Sequence, residues 1–278
     1  MKRFQFWLVV LVVFTAGMIA TFPTDGLVAS LLARLPPDAS RVVERIGSSH
    51  LGLQGLTLDD VTLRPRPDAP PLELRSVTLR PSLLGLLRGR GGRPWHAKVH
   101  GCAGTASATF DRNGDQDVVA VEFADVDLVC CLSPLQLRDA IEGRATGNAL
   151  LTLSPAARGA SGVLGLTAAR WQALGVPRNL ALRADTGTVH WRLDEALHID
   201  DLALSNEEFS ASGTGIVRLP PAPALPEMDL RVRLQPSPAM PQAHRDLLNR
   251  LPGSPPEPSG ARTYRIGGPI DAPQLGMP

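Results

Sequence analysis

The sequence predicts a mainly β fold: an N-terminal transmembrane helix, then a curved, largely antiparallel β-meander with a few short helices. Three observations carry that expectation. An eight-residue apolar pattern recurs four times along the chain. Turn formers are abundant, with 26 Gly and 26 Pro in 278 residues. One long uncharged stretch stands near the start. Glycine and proline punctuate a chain into short strands and turns and work against long helices.

The uncharged stretch comes first in chain order. Lys2 and Arg3 precede 19 residues without a charge, Phe4 to Phe22. At about 1.5 Å per residue a helix of that length nearly spans the ~30 Å hydrocarbon core of a bilayer. A cleaved signal peptide has a shorter apolar region and a small-x-small cleavage site. Here Ala20 has Met18 two places before it, a poor match, so an uncleaved anchor is the preferred reading. The two cations keep residues 1–3 cytoplasmic by the positive-inside rule. In a bacterial inner-membrane protein the bulk of the chain then lies in the periplasm, as a single-pass protein.

The repeated pattern reads LTLDDVTL at Leu56–Leu63, LELRSVTL at Leu72–Leu79, VEFADVDL at Val121–Leu128 and LHIDDLAL at Leu197–Leu204. A strand with one buried face places apolar residues two apart. In each octet the two apolar pairs are separated by three, so the parity flips midway. A tight hairpin turn or a β-bulge would cure the flip. The central pairs are Asp59–Asp60, Arg75–Ser76, Ala124–Asp125 and Asp200–Asp201, and none offers the glycine that tight hairpins want. Each octet therefore reads as one bulged strand. Turns are expected outside the octets, at Asn113–Gly114 and at Asn206–Glu207–Glu208.

Further strand-like segments are ATGNALLTLS, GVLGLTAARW, LALRAD, GTVHWRL and MDLRVRLQ. Helical signals are few. Pro23 to Ile46 carries leucines at helical spacing. SPLQLRDAIEG offers Ser133 as N-cap, Pro134 at the first helical position and Gly143 past the end. QAHRDLLNRL is a short amphipathic piece between proline-rich stretches. The organisation expected is a cytoplasmic tail (1–3), an anchor (4–22), a helical connector (23–46), a β-sheet domain (47–236), a proline-rich segment with a short helix (237–262) and a C-terminal strand and tail (263–278).

Composition and motifs exclude more chemistry than they announce. The net charge of +1 gives no reason to expect a nucleic-acid partner. Asp111, Asn113, Asp115, Asp117 and Glu122 fall at calcium-loop positions, but Gln116 occupies the obligatory glycine and a strand pattern follows. His96 and His100 are four apart on a strand, where that spacing covers about 13 Å, too far for one metal. No nucleophile elbow or phosphate loop is present, so neither an enzyme nor a cofactor is expected. An oxidising compartment permits disulfides. Cys102 joined to Cys130 or to Cys131, or three free thiols, all remain open; a bridge between the adjacent Cys130 and Cys131 would be strained. An open sheet must hide its apolar face in a curl, in a partner or against acyl chains. The candidate binding face is Leu56, Leu58, Val61, Leu63, Leu72, Leu74, Val77 and Leu79.

An anchor followed by FPTDGLVASLLARL, GLTLDDVTLRP, LELRSVTLRPSLLGLLRG, LRDAIEGRATGNALLTLS and a terminal ARTYRIGGPIDAPQL resembles the type II secretion system protein N (GspN) family. That family is itself similar to AsmA-like periplasmic proteins. The shared motifs are apolar–x–apolar strands, a G-x-x-x-G element at Gly143 and Gly147, and a terminal Gly268 to Pro273 spacing. The insert at Pro252–Pro258 and the Cys130–Cys131 pair depart from the pattern. The resemblance implies an accessory inner-membrane component of general secretion, contacting the inner-membrane platform and the secretin. The wider AsmA-like likeness implies a curved sheet that handles membrane lipid in an apolar groove.

Overall fold

The computed structural model describes residues 26, 42–52, 55–64, 69–81, 95–113, 116–133, 141–153, 158–171, 182–218, 226–269 and 273–276. The expected anchor, 4–22, lies outside them. Among the described residues no helix is long and apolar enough to cross a membrane.

The described chain is mainly antiparallel β, an open and curved sheet with few helices. Its 15 strands follow one another in chain order, apart from the first two, which share an edge. They are β1 (Val43–Arg45), β2 (Ser48–Gly52), β3 (Gly55–Leu63), β4 (Leu72–Pro81), β5 (Trp95–Gly101), β6 (Gly104–Asn113), β7 (Gln116–Asp127), β8 (Ile141–Leu153), β9 (Arg158–Trp171), β10 (Leu182–Leu193), β11 (Ala196–Ser205), β12 (Phe209–Arg218), β13 (Glu227–Pro236), β14 (Arg262–Pro269) and β15 (Gln274–Gly276). Helix α1 (Leu128–Leu132) follows β7, and α2 (Gln242–Arg250) lies between β13 and β14.

Each octet runs as a single strand, except that Leu128 of the third opens α1. The central residues fall out of register, as a bulge requires. Pairing across β4–β5 shifts between Leu74 and Ser76, across β7–β8 between Phe123 and Val126, and across β11–β12 between Ile199 and Leu202. Asp60 and Asp125 carry the extra residue in the left-handed region, at φ 51° and 55°. Aspartate tolerates that region better than most side chains. The β3 bulge also shapes the sheet edge. Gly47 N–H donates to the carbonyls of Asp59 and Asp60 at 3.0 and 3.2 Å, where the edge breaks into β1 and β2.

The turns are where the sequence places them, to within a residue. Asn113 still pairs with Gln116 at the end of the β6–β7 ladder, one step beyond the expected Asn113–Gly114 turn; 114–115 lie outside the described residues. Between β11 and β12 the Asn206 side-chain carbonyl accepts from the N–H groups of Glu208 and Phe209 at 2.9 and 2.8 Å. That side chain imitates a backbone turn.

Some local expectations are corrected. Ser133 caps the C-terminus of α1, and the helix expected after it lies outside the described residues. Residues 134–140 lie outside the description, and Gly143 is not a helix stop: it belongs to β8 at φ 128°. Its close neighbours are backbone atoms of Thr167, Ala168 and Ala169 on β9, so a side chain would not fit. LRAD of the expected segment LALRAD and GTVHWRL form one continuous strand, β10, because β9 pairs with it on both sides of Asp185. The end of the expected helical connector, Val43–Arg45, pairs with β3 as β1. The C-terminal segment makes two strands, since β15 turns back on Arg265–Gly267.

Buried side chains concentrate at the C-terminal end of the sheet. There α2 and its flanks pack Met240, Leu248 and Leu251 with Phe209, Ala211, Leu234 and Tyr264. A second cluster joins Val217, Met228 and Ile266. The same end closes its own edge. Ser254 N–H donates to the Thr263 carbonyl at 2.8 Å, and Thr263 N–H donates to Ser254 Oγ at 2.9 Å.

Candidate functional site

The eight candidate residues form four directly facing pairs: Leu56 with Leu79, Leu58 with Val77, Val61 with Leu74, and Leu63 with Leu72. Asp60 and Arg75 stand opposite one another and outside this pairing, which is why 56, 58, 61 and 63 share one face despite their uneven spacing. Leu56 and Val61 are buried, and the other six are half-buried.

The pairs begin a longer feature. Following the register outward, Val77 faces Val99, then come Ala106, Phe123, Gly147, Leu164, Val189, Leu202, Gly213, Val232 and Tyr264, one per strand from β5 to β14. A parallel row runs Ala97, Ala108, Val121, Ala149, Gly162, Trp191, Ile199, Gly215, Leu230 and Ile266 over the same strands. The opposite face reads Thr57, Thr78, Lys98, Ser107, Glu122 and Asn148 at the matching level. One face is apolar from β3 to β14, and the other is polar at this level from β3 to β8, with Leu150, Val163 and Ile216 on it further along.

Glycine and alanine are interspersed with large residues along the apolar rows. A Cβ on Gly147 would come within 3.0 Å of the Phe123 ring, and one on Gly162 within 3.0 Å of the Trp191 ring. On Gly215 it would come within 2.5 Å of Leu230 Cδ2. Bulky side chains thus lie across the neighbouring strand's glycine. This lets the sheet curl over its apolar side and shields part of that side without a second layer. Shielding is incomplete: Trp95 and Phe110, which face each other across β5–β6, remain 39% and 41% exposed.

One end of the central strands is pinned covalently. Gly101 and Gly104 close the β5–β6 hairpin around Cys102 and Ala103, both in the left-handed region at φ 49° and 56°. Asp127 N–H donates to the Cys102 carbonyl at 2.9 Å, and the Asp127 carboxylate caps α1 by accepting from Cys130 N–H at 3.2 Å. Those two bonds bring the hairpin tip to the first turn of α1. Cys102 and Cys130 form a disulfide with a Cα–Cα distance of 5.3 Å. Cys131, about 100° further round the helix, is free and exposed. Local desolvation, and then the Asp127 carboxylate, raise its thiol pKa above the ordinary value. It therefore stays protonated and is a poor nucleophile.

Other candidate groups are dispersed. His96 and His100 lie on β5, and His96 Nδ1 is 3.0 Å from Thr109 Oγ1. Asp111 and Asp117 are on opposite strands of the β6–β7 hairpin, and Asp115 lies outside the description. Among the described residues no three His, Cys, Asp or Glu side chains converge on a metal position. Charged groups pair instead across the exposed surface, with Arg265 forking onto Asp229 at 2.8 and 2.9 Å and Arg64 onto Glu44 at 2.9 and 3.1 Å.

Sequence reasoning named two strands of the apolar face and missed the others. The signal was present in the third and fourth octets, on β7 and β11. Elsewhere Ala and Gly hold the face, and they register weakly as apolar. Fold and face together define a class: a one-layer antiparallel sheet with one apolar side. No family model, no curated protein and no solved structure matches the chain.

Proposed function

We propose that this chain is an accessory, non-enzymatic subunit of type II secretion. In this reading it is tethered in the bacterial inner membrane, with an AsmA-like sheet in the periplasm that assists export of folded proteins. The observation that supports an interaction role is the apolar face, continuous from β3 to β14 and half-exposed along much of its length. Such a surface on a soluble domain marks a place where other molecules sit. The resemblance to the secretion family supplies the partners: inner-membrane platform proteins and the secretin. The strands that carry it, GLTLDDVTL and LELRSVTL, are β3 and β4.

The test is genetic and biochemical. A deletion strain should lose or weaken export of folded enzymes. Wild-type chain should restore export and co-purify platform proteins; a Leu58→Asp/Val77→Asp variant should do neither. Normal export from the deletion strain, with no secretion component in the pull-down, overturns the proposal.

A second reading is favoured by the chemistry of the face. Its rows are aliphatic and aromatic, with Ala and Gly between them, and the polar side chains point to the other side. That suits acyl chains better than a peptide, whose backbone demands hydrogen-bond partners. In this reading the chain binds membrane lipid. Organic extraction of the purified protein should release phospholipid, and lipid-free preparations of unchanged stability argue against it.

A further inference from the structure

The apolar face has two unlike ends. At the C-terminal end α2 lies over one side of it, with Met240, Leu248 and Leu251 packed against Phe209, Leu234 and Tyr264, and the buried Val217, Met228 and Ile266 fill the other side. Polar contacts hold both ends of that helix. Arg245 donates to the carbonyls of Ser237 and Pro238 at 2.8 and 2.9 Å, and the Tyr264 hydroxyl donates to the Leu248 carbonyl at 3.1 Å. His244 Nδ1 sits 2.8 Å from Glu208 Oε2. A helix fixed at two ends over a packed cluster is a stop, not a flap. At the β3 end no described helix lies on the face. The chain enters there, downstream of the uncharged run Phe4–Phe22.

Resting on the lipid reading above, we infer that the face is a blind groove for phospholipid acyl chains. It is open towards the membrane its own N-terminal segment enters and stopped over β12–β14, by α2 on one side and by the Val217–Met228–Ile266 cluster on the other. The occupant follows from that arrangement, because the apolar phase nearest the open end is the bilayer that an uncharged run of bilayer length would occupy. The dimensions fit. From β3 to β11 is eight strand spacings, about 38 Å at ~4.8 Å each, against the ~15 Å depth of one leaflet's chains. Such a groove draws chains out of one membrane and holds them. It does not hand them on past its C-terminal end.

The experiment uses full-length chain reconstituted in phosphatidylcholine–phosphatidylglycerol vesicles carrying a phospholipid with a photoactivatable acyl chain. After irradiation, adducts are mapped by mass spectrometry. Adducts are expected on the face from β3 to β11, including Leu58 and Val77, with at least a ten-fold lower yield at Phe209, Leu234 and Tyr264. In a Leu248→Ser/Leu251→Ser variant they should spread into β12–β14. Equal labelling beneath α2 in the wild-type chain overturns the blind end and leaves the lipid reading intact. No adducts anywhere on the sheet overturns both. The wild-type map decides the matter alone if the variant does not fold.

Discussion

Replacing Cys102 and Cys130 together by alanine should cost about 3.6 kcal/mol. The bridge closes a loop of 28 residues. The chain-entropy relation, −2.1 − 1.5R ln n cal/mol/K, gives about −12 cal/mol/K at that length, or about 3.6 kcal/mol at 25 °C. Domains of this kind have about 5–15 kcal/mol in all, so the loss is a large share. The native contacts explain why the cost should approach the entropic value. The Asp127–Cys102 backbone bond and the Asp127 cap already hold the hairpin tip against α1, so the bridge forms in a place prepared for it. The measurement is urea unfolding of full-length protein in detergent, oxidised wild type against the double alanine variant, with Cys131→Ser in both to prevent reshuffling. A midpoint shift worth less than about 1 kcal/mol would refute the reasoning. It would mean that the unfolded chain keeps the β6–β7 hairpin and that the bridge constrains nothing.

Three further outcomes are expected. Asp60→Gly should stabilise by about 0.5–1 kcal/mol, because glycine adopts the left-handed bulge conformation freely, while Asp60→Val should destabilise by about 1–2 kcal/mol; paired denaturation curves decide it. Gly162→Ala should cost about 1–3 kcal/mol through overpacking against Trp191 and the Asn148 carbonyl, visible as a lower Tm and a changed tryptophan emission. Acid should loosen the C-terminal strands first. Hydrogen bonds from Arg265 lower the Asp229 pKa, and those from Arg233 lower that of Glu257. Depressed carboxylates contribute stability that is present above their unfolded values near pH 4 and is lost as pH falls through the folded ones. Protection factors against hydrogen exchange in β13 and β14 should therefore fall below about pH 4, and Asp229→Asn with Glu257→Gln should flatten that fall.

Much of the architecture was legible in the octets, because a parity flip without turn residues leaves a bulge as the remaining solution. Asp60, Asp125 and the Ile199–Leu202 step show that logic at work. The Asn206 turn was legible for a similar reason, since its side chain does local work. What escaped the sequence depends on partners far along the chain. Gly143 looked like a helix stop because only the approach of the β9 backbone explains it. The Cys102–Ala103 turn lacks central glycines, and its flanking Gly101 and Gly104 give a weaker signal. The choice between Cys130 and Cys131 turns on the rotation of α1, which begins where Asp127 caps it. The apolar face was legible at β3 and β4, where leucine and valine fill the facing positions. It faded where alanine and glycine interrupt the rows, as at Ala106, Gly147, Ala149 and Gly162.

The Ser254 clasp on Thr263 and the short β15 have a consequence for the protein among its own copies. A stack of 15 strands is a template on which a further strand would gladly grow. At its C-terminal margin the edge of β14 is already covered, by Ser254 and by β15, which is only three residues long. At the other margin the kink between β1 and β2 interrupts the straight run that recruitment needs. Each molecule thus sets its own length, and many copies can stand side by side without fusing into one ribbon.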